Sequence, residues 1–351
     1  MFIFTNREVR NAPDASAFTR KFQPGASFLS AAAVVRKGGG FGYSALQAEL
    51  SDDQALRTLV PLFAGSQRVL VYLHGNNNSP AACAERCARL EEIYSVAVVG
   101  FSWASEGFLS SGTELPSMPA AGSADESDDT DGLARVNGGN RSEGWAQRKI
   151  RRYHQAKTNA SDSVDALARF LRLLATARLY ANQQPMSLAA HSLGAHFLQN
   201  TIDVSSATES LGAVHNITLL AACCRASGHE SWLNTLQPRG QVFITFNQAD
   251  LVLYGARIAD HNQIKLGAEP EGRLLSPKVR YVSFTNAQLE FGGHAYFVRE
   301  AGKKVPKDAR KVFGRMFGSE RDIRDDQGEY PRKVYPLGCD ADGATCYMAA
   351  P

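Results

Sequence analysis

A serine between small residues is the strongest candidate for chemistry in this sequence. Ser192 lies in the pentapeptide Ala190-His191-Ser192-Leu193-Gly194, after an apolar run and before a run with helical spacing. A side chain at the tip of a sharp strand-to-helix turn projects out of the sheet, and small residues at Ala190 and Gly194 let strand and helix approach closely. The pentapeptide also occurs by chance, so other segments must support Ser192 as a nucleophile.

An earlier segment has the composition of a loop that binds an oxyanion. The apolar run 68–73 ends in His74-Gly75-Asn76-Asn77-Asn78, and Ser79-Pro80 after it is typical of a helix start. Acyl transfer needs N–H donors for the oxygen that becomes negative, and losing one donor lowers the rate by about 10²–10³. We expect the backbone amides of Asn76 and Leu193 to be these donors.

An acid and a base follow later in the chain. The apolar strand that begins near Gln241 ends at Asp250, and His294 comes after a pair of glycines. A serine hydroxyl is a poor nucleophile until a base accepts its proton, which predicts His294 as the base. Asp250 is then the acid that holds the imidazole in the useful tautomer.

Other titratable residues compete for these roles. His191, His74 and His261 are rival bases, although their positions relative to the order serine, acid, histidine favour structural roles. Asp260 and Asp203 are rival acids. The sequence therefore favours Asp250 and His294 and leaves the rivals open.

The elements needed to position these residues alternate along the chain. The segments 68–73, 96–101, 186–190, 215–221 and 279–284 and the apolar run that begins at Gln241 are predicted strands, with helical spacing between several of them. This alternation indicates a parallel sheet covered on both faces. The pattern stops over 104–142, which we interpret as a flexible insertion or a lid with Phe108, Leu109, Leu115 and Met118 on its apolar side.

Five short motifs give the chain a resemblance to a known superfamily. They are Thr5-Asn6-Arg7, Phe101-Ser102-Trp103, His191 to Gly194, Asp250 to Leu253 and Gly293 to Phe297. With the order Ser192, Asp250, His294, the chain resembles the α/β-hydrolase superfamily, and within it the bacterial esterase-like group long catalogued as a domain of unknown function. The resemblance implies an α/β fold, a three-layer sandwich with a mostly parallel central sheet and a long insertion after the fourth strand.

The domain boundaries follow from the same resemblance. It spans most of residues 1–300, which we expect to form the hydrolase domain, with 301–351 as a C-terminal extension. Two positions depart from the group's pattern: Ala104 stands where proline is usual, and Cys223-Cys224 replaces Pro-Asp after the sixth strand. The second departure removes an alternative acid and strengthens Asp250.

Composition argues against several classes of protein. Hydrophobic residues at 44% and charged residues at 21% are ordinary for a globular chain, and a net charge of +3 favours neither nucleic acid nor an anionic surface as partner. No apolar run reaches the roughly 18 residues of a membrane span, and the first residues are too soon polar for a signal peptide. We therefore expect a cytoplasmic location and no integral membrane segment, and the oligomeric state stays open.

The six cysteines do not form a metal-binding pattern. Zinc sites usually combine closely spaced pairs with histidines nearby, which is not seen here, so we expect neither a metal nor a cofactor. Cys83, Cys87, Cys223 and Cys224 are interpreted as small buried hydrophobes. Cys339 and Cys346 bracket a loop that a disulfide closes only in an oxidising compartment.

These observations predict a serine hydrolase that cleaves carboxylic esters of small molecules or lipids through an acyl-enzyme intermediate. A lipase or phospholipase with 104–142 as its lid is the first alternative. A non-catalytic binding module on the same fold is the second, because a fold does not determine function. The acyl and alcohol groups, and the choice among ester, thioester, amide and acyl transfer, are left open.

Overall fold

The computed structural model describes residues 1–38, 40–115, 143–181, 184–285, 287, 293–298, 305–320, 323, 337–339 and 345–348. Its strands are β1 (Phe2–Thr5), β2 (Arg7–Val9), β3 (Phe18–Phe22), β4 (Ser30–Lys37), β5 (Gly40–Gln47), β6 (Val69–Leu73), β7 (Ala97–Ser102), β8 (Met186–His191), β9 (Ile217–Leu220), β10 (Val242–Phe246), β11 (Val279–Ser283), β12 (Leu337–Cys339) and β13 (Thr345–Met348).

The helices are α1 (Asp52–Ala64), α2 (Pro80–Tyr94), α3 (Glu143–Ser161), α4 (Val164–Tyr180), α5 (Leu193–Thr201), α6 (Ser205–Leu211), α7 (His229–Leu233), α8 (Leu251–Ala259) and α9 (Lys307–Phe317). The start of α2 follows the sequence prediction, since the Ser79 side chain accepts a hydrogen bond from the Ala82 amide and Pro80 is the first helical residue. None of the described helices is both long and apolar enough to cross a membrane.

One large sheet organises the described part of the chain, in the order β12-β13-β11-β10-β9-β8-β6-β7-β1-β4-β5. Neighbours from β1 to β13 along this order are parallel, and β4, β5 and β12 add antiparallel edges. Every residue of β6 and β8 is buried, as expected for central strands with helices on both faces. The predicted α/β sandwich with a mostly parallel sheet is confirmed.

The helices form two groups that match the two outer layers. On one side α4 packs against α1, α5 and α6, and α3 packs against α5, whereas α2 packs against α9. The phenyl rings of Phe313 and Phe317 on α9 are buried in the core. The described residues after 300 thus contribute to the same core and sheet as the rest of the described chain.

β13 also contains a disulfide-bonded cysteine. Cys346 is disulfide-bonded, and Cys339 of β12 is its Cα partner across the two antiparallel strands. The other four cysteines are free thiols in buried positions, as the sequence predicts.

The insertion leaves the sheet after β7, which is the fifth strand of the large sheet in chain order, one later than predicted, because β1, β4 and β5 precede β6. Hydrogen bonds hold its first residues in place. The side-chain amide of Asn159 donates to the backbone carbonyls of Ala104 and Phe108, at 2.8 and 2.9 Å. The Phe108 ring is buried, with the guanidinium carbons of Arg20 and Arg152 at 4.0 and 4.6 Å from its centroid. Residues 116–142, with Met118, lie outside the described part.

Candidate active site

Ser192 occupies the sharp turn between β8 and α5. Its backbone has φ 52° and ψ −120°, a region that a residue with a side chain adopts only when its surroundings enforce it, at about 1–3 kcal/mol. The Ser192 amide donates to the Leu220 carbonyl at 2.8 Å, and its carbonyl accepts from the Cys223 amide at 3.0 Å. Contacts on both sides of the residue therefore maintain the strained turn.

Two glycines bring this turn against the loop after β6. A Cβ atom at Gly194 would lie 2.6 Å from the His74 carbonyl oxygen and 2.7 Å from that of Leu73. A Cβ atom at Gly75 would lie 2.8 Å from the Cβ of Ser192. Since neither position has room for a side chain, the loop and the serine turn are in direct contact.

The loop after β6 is held by a buried histidine. His74 donates from Nδ1 to the Gly75 carbonyl at 3.0 Å and accepts at Nε2 from the Trp103 amide at 3.1 Å. The Trp103 indole returns a hydrogen bond to the His74 carbonyl at 3.0 Å. Burial lowers the pKa of His74 to about 3, so the ring stays neutral and its role is structural.

One backbone amide of this loop and one of the serine turn have no protein acceptor among the described residues. Asn77 and Asn78 donate their amides to the backbone and hydroxyl of Ser105, at 2.9 and 3.0 Å. Among the described residues, the amides of Asn76 and Leu193 have no hydrogen-bond acceptor. Leu193 is the first residue of α5, where backbone N–H groups have no partner within the helix. Neither amide is thus used by another acceptor in the described part of the chain, which is what the predicted oxyanion role requires.

Asp250 and His294 form a close pair. His294 Nδ1 lies 2.7 Å from Asp250 Oδ2, and both residues are buried, at 5% and 2% exposure. The other carboxylate oxygen accepts from the Leu253 amide at 2.9 Å and so caps the N-terminus of α8. Since the carboxylate accepts the Nδ1 proton, Nε2 of His294 is left as the proton acceptor.

His294 lies beside the serine turn. Its ring centroid is 4.6 Å from that of His191, the residue before Ser192. In the part of the chain that the structure describes, the Ser192 hydroxyl makes no hydrogen bond, and such bonds often tighten only once substrate is bound. The structure therefore brings the three predicted residues into one region and fixes the acid–base contact within it.

Asn247 links the acid and the base, a role that sequence reasoning missed. Its side-chain amide donates to the Gly293 carbonyl at 3.0 Å, and its side-chain oxygen accepts from the Ala249 amide at 3.1 Å. The Asp250 amide donates to the Asn247 carbonyl at 3.1 Å. One side chain thereby fixes the two turns, and an asparagine directly after an apolar strand is the only local signal for it.

The rival residues have other surroundings. The His191 ring is buried against His294 and Phe297, and burial lowers its pKa well below the ordinary value. His261 is an exposed turn residue with φ 54°, and Asp203 is exposed between α5 and α6. None of these residues contacts the Asp250 carboxylate among the described residues.

Asp260 belongs to a separate buried network. Its carboxylate contacts the ammonium groups of Lys265 and Lys157, the latter at 3.0 Å, and accepts from the Tyr153 hydroxyl at 2.9 Å. Burial alone raises the pKa of Asp260, but the two lysines outweigh this and lower that pKa to about 2. The Tyr153 hydroxyl is also 3.2 Å from Sγ of Cys223.

Residues 63–222 match the family model of an alpha/beta hydrolase of unknown function (DUF900). The matched segment runs from the end of α1 to the turn after β9 and contains the serine turn and the loop after β6, but neither Asp250 nor His294. Neither the curated proteins nor the solved structures contain a significant match to the chain. The sheet order, the serine turn and the family match all agree with the α/β-hydrolase fold.

Proposed function

We propose that this α/β hydrolase is a serine esterase that cleaves carboxylic esters through an acyl-enzyme intermediate. The observation that carries the proposal is the 2.7 Å contact between His294 Nδ1 and Asp250 Oδ2 beside the strained turn at Ser192. A buried carboxylate on one imidazole nitrogen leaves the other nitrogen to accept a proton, which is what a serine nucleophile requires.

The first half-reaction forms the acyl-enzyme. Ser192 Oγ attacks the ester carbonyl carbon while Nε2 of His294 accepts the hydroxyl proton, and Asp250 stabilises the resulting imidazolium. The carbonyl oxygen becomes an oxyanion and accepts hydrogen bonds from the amides of Asn76 and Leu193. The tetrahedral intermediate then collapses: the C–O bond to the alcohol breaks, and His294 returns the proton to the leaving alkoxide.

The second half-reaction repeats these steps with water. His294 takes a proton from a water molecule, the hydroxide adds to the acyl carbon, and the bond to Ser192 Oγ breaks. His294 then returns the proton to the serine oxygen, and a carboxylic acid is released. His294 can serve both half-reactions because it takes up a proton before each step in which it must donate one.

The position of Phe108 favours soluble esters over lipid esters as substrates. The lipid alternative depends on an apolar flap at the start of the insertion, and Phe108 is its largest apolar side chain. That ring is buried between the guanidinium groups of Arg20 and Arg152, which leaves it unable to cover an acyl chain. The resemblance to esterase-like hydrolases supplies the substrate class.

Covalent labelling of Ser192 tests the proposal. A fluorophosphonate should add to the protein once, with the adduct on the peptide that contains Ser192, and hydrolysis of short-chain esters should stop. The Ser192→Ala variant should neither label nor turn over, whereas Ser231→Ala, at an exposed serine on α7, should match the wild type. Labelling that persists unchanged in Ser192→Ala would overturn the assignment.

A further inference from the structure

A buried chain of hydrogen bonds that does not include Asp250 or His294 reaches the backbone of Ser192. The Cys223 amide donates to the Ser192 carbonyl at 3.0 Å, Cys223 Sγ lies 3.2 Å from the Tyr153 hydroxyl, and that hydroxyl lies 2.9 Å from Asp260 Oδ2. We propose that Cys223, Tyr153 and Asp260 form a brace that holds Ser192 in its strained, reactive conformation, with Tyr153 as a positioning residue.

The direction of the hydrogen bonds follows from the charges. Asp260 is ionised beside Lys157 and Lys265, so its oxygen accepts the single proton of the Tyr153 hydroxyl. The tyrosine oxygen then accepts from the Cys223 thiol. Burial raises the pKa of both the thiol and the phenol, which keeps these two donors protonated.

The far end of the brace is anchored on two sides. Lys157 contacts both carboxylate oxygens of Asp260, at 3.1 and 3.0 Å, and Lys265 contacts Oδ2. Lys157 and Tyr153 lie on the same helix, α3, and Lys265 lies in the loop after α8. The carboxylate therefore has little freedom to rotate, and it fixes the tyrosine hydroxyl in turn.

The end of the brace at Cys223 is also closely packed. The amides of Leu266 and Gly267 donate to the carbonyls of Cys224 and Ala222, both at 2.9 Å, so the loop after α8 pairs with the turn after β9. A Cβ atom at Gly267 would lie 2.2 Å from the carbonyl carbon of Ala221. Cys223 is thus held between this loop and the serine turn, and its thiol is its link to Tyr153.

Such a brace acts on the nucleophile through the serine backbone. The Ser192 carbonyl accepts from the Cys223 amide and, at 3.1 Å, from the Ala195 amide, and these bonds help to set ψ of Ser192. A change in backbone conformation moves Oγ relative to the substrate carbonyl, and a displacement of about 1 Å is enough to slow a reaction by about 10²-fold. We therefore expect the brace to affect the rate of acylation more than substrate binding.

The first test removes the tyrosine hydroxyl, and it rests on the proposed function. Tyr153→Phe should lower kcat on a short-chain ester, and the rate of fluorophosphonate acylation, by about threefold to tenfold with KM unchanged. Tyr281→Phe is the matched control, because that buried hydroxyl also has two partners, His229 Nε2 at 2.7 Å and the Leu274 amide at 2.8 Å, and lies on β11. It should lose stability without losing kcat.

The second test asks whether Tyr153 acts through Cys223. Cys223→Ala keeps the backbone amide but removes the thiol, and it should lower kcat by the same factor as Tyr153→Phe. Cys223→Ser keeps a donor on the side chain and should restore most of the loss. Because both side chains act through one link, the double variant Tyr153→Phe/Cys223→Ala should be no slower than either single variant.

The possible failures are distinguishable. Turnover that survives in Ser192→Ala would overturn the proposed function and the brace with it. An enzyme that Ser192→Ala inactivates, but in which Tyr153→Phe and Tyr281→Phe have equal kcat, would overturn the brace alone. Additive losses in the double variant, or no rescue by Cys223→Ser, would also contradict it.

Discussion

Two buried carboxylates lie at opposite ends of α8 and have opposite surroundings. Asp250 is the N-cap of the helix and Asp260 its C-cap, with exposures of 2% and 6%. The partners of Asp250 are a backbone amide and the imidazole of His294, neither of which carries a permanent charge. Asp260 contacts two lysine ammonium groups and a tyrosine hydroxyl.

The difference separates a carboxylate suited to catalysis from one suited to structure. A carboxylate beside a neutral imidazole gains attraction when that ring takes up a proton, so it stabilises a charge that appears during a reaction. A carboxylate already paired with two cations gains nothing comparable. Position on the helix adds to this, since a negative charge is favoured at an N-terminus and disfavoured at a C-terminus, where lysines must compensate.

The largest loss of activity is expected when the contact between Asp250 and His294 is broken. In Asp250→Asn we expect kcat to fall by about 10³–10⁴, because the side-chain amide no longer holds His294 in the tautomer that can accept the serine proton. Stability should change little, since asparagine caps a helix about as well as aspartate. Steady-state kinetics and urea unfolding on the same preparation measure both quantities.

Two controls belong to this prediction. His294→Ala should lose kcat by roughly 10³ or more, because members of a triad act as a unit. His261→Ala should be almost unaffected, since His261 is an exposed turn residue outside this contact. If His261→Ala lost turnover and His294→Ala kept near-normal turnover, His261 would be the general base instead of His294.

The sequence predicts those parts of the site that depend on residues close together in the chain. The serine turn and the loop after β6 are set by neighbouring glycines and strand ends, and the structure places them in contact. The preference for Asp250 over Asp260 came from its place at the end of an apolar strand, and the contact with His294 agrees with it.

The remaining features depend on residues far apart in the chain. The two side-chain contacts of the brace join positions 70 and 107 residues apart, and no local pattern marks such pairs. Phe108 looks like part of an apolar flap in sequence because Arg20 and Arg152, which flank its ring, come from other segments. The strands after residue 300 are short, and they join the sheet through the pairing of β13 with β11 and of β12 with β13.

A large loss of stability is expected when Asp260 no longer pairs with its two lysines. Asp260→Asn leaves Lys265, which is 2% exposed, without a counter-charge, and removing one partner of such a pair costs about 3–5 kcal/mol. The kcat of the folded variant should fall by no more than about tenfold, because the acid–base pair is intact. Urea unfolding with matched kinetics measures the two effects.

The pH dependence of this loss has a definite sign. The pKa of Asp260 is lowered in the folded protein from 3.8 to about 2, so its contribution is complete above the unfolded value and disappears as pH falls towards the folded one. The stability gap between wild type and Asp260→Asn should be full at neutral pH and narrow as pH falls from about 4 to 2. A gap that stays constant over that range would contradict the ionised pair.

The smallest effect should come from removing one of the two cations at Asp260. Lys157 is partly exposed, with 28% of its side chain accessible, so solvent screens its charge, and Lys157→Met keeps most of its packing on α3. Asp260 retains Lys265 and the Tyr153 hydroxyl, and we expect a loss of about 1 kcal/mol in the free energy of unfolding. Added salt should shrink this difference further, because an exposed charge is screened more than a buried one. A loss as large as that of Asp260→Asn would show that the carboxylate depends on both lysines. The contrast with Asp250, whose side-chain partner among the described residues is His294, would then weaken.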